Sequence, residues 1–204
     1  MASINTVDYE EIPRRAKEIR AYGQDINKLM LNAYKDVQNM KNDWYGQRYN
    51  LIVDQFNSLA VDVNKLLKLV VGDLPYTLEV VANNYAQADT GTNVTTAQNT
   101  APTNIAAIPR STEEGLRFIS TNVSEAKTRV EREFNESIEK MNLIGTAFGK
   151  IVWSSQAATE FSEDFSTLKA NIIGAFNGIR VMFDKLVKEA IADIEKAESA
   201  NSVS

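Results

Sequence analysis

Residues 44–89 read WYGQRYNLIVDQFNSLAVDVNKLLKLVVGDLPYTLEVVANNYAQAD, and the spacing of the apolar side chains in this stretch decides the fold class. Tyr49, Ile52, Phe56, Leu59, Val63, Leu66 and Val70 alternate steps of three and four, the period of a helix that packs with a left-handed supercoil. Leu74, Leu78, Val81 and Tyr85 carry the stripe onward. Gly72 and Pro75 interrupt it, so a bend is expected there: proline lacks an amide donor and clashes with the preceding turn. Upstream, over residues 10–42, Ile19, Tyr22, Ile26, Leu29, Ala33, Val37 and Met40 fall on one helical face. Trp44-Tyr45-Gly46 separates the two helices, within a turn expected at residues 43–46, because glycine takes the positive φ of a helix exit at no steric cost. An indole beside it covers the helix ends, and Trp44 is expected to stay partly accessible.

The chain then changes character. Residues 90–110, TGTNVTTAQNTAPTNIAAIPR, are rich in Thr, Asn, Ala and Pro with one charge, which marks a linker. Ser111-Thr112-Glu113-Glu114 has the form of a capping box and places the start of a third helix at residue 111. Its stripe is Leu116, Ile119, Val123, Ala126, Val130, Phe134, Ile138, Met141 and Phe148. A second turn at 150–155 contains Trp153 and Ser155, and a fourth helix carries Phe161, Phe165, Leu168, Ile172, Ala175, Ile179, Met182 and Leu186 to about residue 198. Residues 199–204 are small and polar and form an expected disordered tail. The expectation is all-α: a four-helix bundle of two antiparallel hairpins, residues 1–89 and 111–198.

The second hairpin reads as a copy of the first. An offset of 109 brings Trp44 onto Trp153, Gln47 onto Gln156, Phe56 onto Phe165, Val63 onto Ile172 and Val70 onto Ile179. The first and third helices align at 108, with Tyr22 on Val130, Ile26 on Phe134 and Met40 on Phe148. Linker length bears on docking. A helix of about 31–40 residues is roughly 46–60 Å long, and 21 extended residues reach at most about 70 Å. Parallel hairpins would need only a few linking residues, whereas antiparallel docking obliges the linker to run back along the whole bundle.

Composition excludes several functions. With no Cys and no His, the chain has no disulfide, no Cys or His nucleophile and no Ser-His-Asp triad, and no metal site or cofactor is expected. Nothing supplies an oxyanion hole or a phosphate-cradling loop, and the adjacent Glu163 and Asp164 point apart on a helix, so no catalytic residue and no enzymatic activity are expected. A net charge of −5 without a basic face argues against nucleic acid. The apolar run 66–71 is too short to span a bilayer. The opening Met1-Ala2-Ser3-Ile4-Asn5 lacks the charged and apolar regions of a classical signal peptide.

Two motifs remain: the Trp44-x-Gly46 turn, and Tyr85-x-x-x-Asp89 at the end of the second helix, whose members lie one turn apart on one face. In this order and spacing they resemble the WxG (ESAT-like) superfamily, the helical-hairpin substrates of bacterial type VII (ESX) secretion. Residues 10–89 carry the resemblance, and the second hairpin is a degenerate copy: Ser155 stands for Gly46 and Ile194 for Tyr85, although Glu198 matches Asp89. The resemblance implies a secreted or cell-surface protein, exported without a classical signal peptide, whose partners are the secretion ATPase or a co-secreted helical protein. Tyr85 and Asp89 would be the secretion signal, completed by Trp153 from the other hairpin, while the Trp44 end, facing Ile194 and Glu198, would be silent. The family's hairpins pair as dimers; a fused chain is expected to be a monomer with an internal pseudo-dimer interface. Two other classes stay open, a pore-forming-like membrane-active hairpin, for which only residues 66–74 could serve, and a purely structural helical bundle.

Overall fold

The computed structural model describes residues 7–202; residues 1–6, where a signal peptide would begin, and residues 203–204 of the expected tail lie outside it. The described chain is mostly helical: α1 (Glu11–Met40), α2 (Gln47–Leu67), a π-helical segment (Lys68–Asp73), α3 (Leu74–Thr90), α4 (Ser120–Gly149) and α5 (Gln156–Asn201). Two short strands, β1 (Trp44–Tyr45) and β2 (Arg117–Phe118), pair antiparallel with Trp44 opposite Phe118. None of the helices among the described residues is long and apolar enough to cross a membrane.

Helix ends follow local chemistry. The Asp8 carboxylate accepts from the amides of Glu10 and Glu11 at the start of α1. Ser155 Oγ accepts from Ala158 N at 3.1 Å and caps α5. Gly91 closes α3 in the left-handed conformation, φ +72°. Around Gly72 and Pro75, where a bend is expected, the chain forms the π segment, contiguous with α2 before it and α3 after it. Pro75 cannot donate to the carbonyl four residues back, that of Val71, and this carbonyl instead accepts from Arg20 Nε at 3.3 Å.

The core draws on every helix. Each seam residue of α2, from Tyr49 to Leu66, is buried, and so is Val70. At the centre, aromatic rings from four helices meet: Tyr34 lies edge-on to Phe56 at 5.1 Å, Phe56 stacks on Phe134 at 5.8 Å, and Phe134 on Phe176 at 3.9 Å. Ion pairs and hydrogen bonds set the direction of α4 against α1: Asp25 with Lys140, Asp36 with Arg129, and Asp43 with Asn122, so one sequence rises as the other falls. At the far end, Arg48 reaches Asp193 and Glu189 of α5.

Several expectations need correction. The third helix begins at Ser120, not at 111. Ser111 Oγ does accept from an amide, but that of Glu113, and Gly115 at φ +100° turns the chain into β2. Leu116 and Ile119, assigned to the α4 stripe, are consequently exposed. On α5 the fully buried series is Ile172, Phe176, Ile179, Phe183, Leu186 and Ala190, while Phe161, Phe165, Leu168, Ala175 and Met182 are half-buried. The buried faces of α1 and α4 superpose at an offset of 107 instead of 108: Val123 falls on Ala16, Val130 on Gly23, Met141 on Tyr34 and Ala147 on Met40, each buried. The N-caps of α2 and α5, Gly46 and Ser155, keep the offset of 109. As for the tail, α5 continues to Asn201.

Candidate interaction surface at the Trp turns and the Tyr85 helix end

Trp44 is not a half-exposed cap. It is 1% exposed, edge-on to Phe118 of β2 at 5.4 Å and 6.3 Å from Phe183 of α5. The physical reason is remote in sequence: β2 zips onto β1 and brings Phe118 over the indole, and Ile119 N donates to Asp43 O to hold it there. Gly46 does adopt a positive φ, +103°, but as the entry to α2, not as the exit from α1.

The second turn is built differently. Among the described residues no strand covers Trp153; it is half-buried at the rim of an open groove of about 400 Å³ lined by Phe148, Ile151, Ser155, Ala158 and Thr159. Of the two indoles, Trp153 is therefore the one a partner can reach. Ser155 occupies the position of Gly46 with an extended φ of −157° and stabilises the first turn of α5 with its hydroxyl.

Tyr85 is 39% exposed, and Ala86 beside it is fully buried and anchors the helix. Asp89 is exposed but engaged: it accepts from the hydroxyl of Tyr9, a bond that also raises the phenol's pKa. Sequence reasoning missed Tyr9, since an isolated aromatic before a helix carries no signal of its partner. Because α4 runs antiparallel to α1, its C-terminus and the Trp153 turn lie at the α1 N-terminal end, the end where Tyr9 holds Asp89. Ile194 and Glu198 come after Asp193, which Arg48 binds, and belong to the Trp44 end. Among the described residues no hydrogen bond or aromatic pair joins Tyr85 or Asp89 to Trp153.

A buried acid lies between α1 and α4. Glu133 is 4% exposed, and neither its Oε2 nor the Oγ of Ser137, one turn on, has a hydrogen-bond partner among the described residues. Burial, reinforced by Asp36, pushes its carboxyl up from 4.5 to about 7 against the opposing pull of Arg132 and Arg129. The folded-state value lies above the unfolded one, so the native protein binds this proton more tightly. The associated stability is complete below pH 4.5 and is lost as the pH rises through about 7. Glu133→Gln is expected to remove that loss, raising stability at pH 8 by about 2 kcal/mol relative to the parent. Urea midpoints at pH 5 and pH 8 check it: an equal drop between the two pH values in parent and variant would refute the assignment.

Comparison with protein-family models, with curated proteins and with solved structures finds no match of this chain to any of the three.

Proposed function

We propose that the protein is a substrate, or a co-secreted partner, of a bacterial type VII (ESX-like) secretion apparatus, built as a tandem fusion of two WxG-type hairpins. In this reading residues 1–89 and 111–198 are hairpins docked antiparallel into one four-helix bundle, and their internal interface replaces the dimer typical of the superfamily. The observation that carries the reading is the first hairpin's form: a 30-residue helix, a Trp44-Tyr45-Gly46 turn with glycine at φ +103°, and a long second helix ending in an exposed Tyr85 one turn before Asp89. Support comes also from the second unit, whose first helix has the same length, 30 residues, and whose N-cap Ser155 stands 109 residues after Gly46.

The secretion signal in this reading is Tyr85 with Asp89, and Trp153 at the same end of the molecule completes it. Tyrosine is a large anchor with little side-chain entropy to lose, which suits a shallow recognition surface. Export from a strain with a working apparatus tests this. Tyr85→Ala and Trp153→Ala should each weaken recognition by about 2 kcal/mol, roughly thirtyfold in affinity, with helical content unchanged. Adding Ile194→Tyr should restore part of the export lost in Tyr85→Ala. Parent-like export of both alanine variants would reduce the resemblance to a likeness of fold and leave a helical interaction protein.

A further inference from the structure

Between α3 and β2 the chain runs back over α1 and α2 as an extended strap, fastened mainly by side chains that pair with its main chain, with one side-chain ion pair, Arg110 to Asp54 at 3.6 Å. Asn27 donates to Thr103 O at 2.7 Å and accepts from Thr103 N at 2.8 Å. Asn64 does the same with Ile105, Asn57 with Ile108 and Asn50 with Ser111, all between 2.7 and 3.0 Å. Asn83 donates to Thr95 O and accepts from the amides of Val94 and Thr95. At Gln98 the two roles are divided: the Glu79 carboxylate accepts its N–H at 2.8 Å and Arg20 donates to its carbonyl at 2.8 Å.

The spacing is geometrically matched. Asn50, Asn57 and Asn64 are seven residues apart, about 10.5 Å of helix rise. Their partners Ser111, Ile108 and Ile105 are three apart, about 9–10 Å of extended or polyproline II chain. Ile105 and Ile108 are buried, whereas Asn104, Ala106, Ala107 and Pro109 face solvent. Gly72 lets the strap come close: a Cβ there would stand 2.9 Å from Thr100 O.

We infer that this groove is a receptor for an extended peptide, selected by main-chain register and by aliphatic residues at i and i+3, and that residues 94–111 are its resident ligand held in cis. A separate peptide with the strap's own sequence binds the same groove in trans once the strap is displaced; a covalent tether gives the strap the advantage of a high effective concentration. The inference rests on the ladder alone and is independent of the export reading.

The test uses the full chain with residues 94–111 replaced by a Gly/Ser segment of equal length, and a fluorescent synthetic peptide of residues 93–112 as probe. Saturable one-to-one binding is expected by anisotropy. N-methylation of the peptide at Ile105 and Ile108, or Asn57→Ala in the receptor, should weaken it by about tenfold or more, because each leaves polar groups unpaired. Substitution at positions 104, 106 and 107 should leave it unchanged. Absence of binding to a folded Gly/Ser chain, or indifference to N-methylation, overturns the inference. If that chain fails to fold, the parent carrying protease sites at both ends of the strap is cut while folded. The excised peptide should then co-elute with the two hairpins and exchange with the labelled probe, and its immediate release overturns the inference.

Discussion

Replacing Trp44 by alanine is expected to lower the free energy of unfolding by about 3–5 kcal/mol, the cost of truncating a fully buried aromatic side chain. The indole joins three parts of the chain, the α1–α2 turn, β2 through Phe118 and α5 through Phe183, so its loss opens a cavity that no single element can close. Trp153→Ala, at a half-buried site, should cost markedly less. Urea denaturation followed by circular dichroism separates them: equal midpoints for the two variants would show that the indole of Trp44 carries no packing energy beyond that of its counterpart.

Glu79→Ala should cost a comparable 3–5 kcal/mol, because it strands a buried partner charge. Glu79 and Arg20 form a bidentate pair at 2.7 and 3.0 Å, with their side chains only 5% and 12% exposed. Truncating the acid leaves the guanidinium without its counter-ion and the Gln98 amide without an acceptor. Glu79→Met combined with Arg20→Met removes both charges and is expected to be less damaging than Glu79→Ala, though short of neutral, since the carbonyls of Val71 and Gln98 lose their donor. A double-mutant cycle in urea measures the coupling, and additive effects of the two substitutions would argue against a functioning pair.

The helical seams were legible because burial has a period. Tyr49 through Val70 step by three and four, and all are buried. What escaped was what has no period or no local cause. Trp44 is buried by Phe118, which reaches it only through a strand pair formed across the linker. Ser111 carries a cap's chemistry, but Asn50 holds its main chain in the strap, and Gly115 diverts the chain into β2 before a helix can start. Asn50, Asn57 and Asn64 recur at seven, yet polar residues at heptad spacing on an outer face read as solvated, so nothing announces a ligand. Tyr85, Asp89 and Trp153 could be singled out from the sequence by residue type and spacing. That Tyr9 holds Asp89 could not, since the bond joins residues at the two ends of the first unit.

The asparagine ladder also bears on the order of events when the chain folds. Its side chains stand at the right intervals only after α2 is wound through at least two heptads, so the strap cannot seat on a half-formed helix. Its contacts, moreover, close loops of 41 to 76 residues with α1 and α2. Loop closure of that span comes after local helix formation. The ladder is therefore expected to form after the folding barrier, where interactions slow unfolding and leave the folding rate nearly untouched. Removing an asparagine would shorten the lifetime of the native state far more than it would delay its birth.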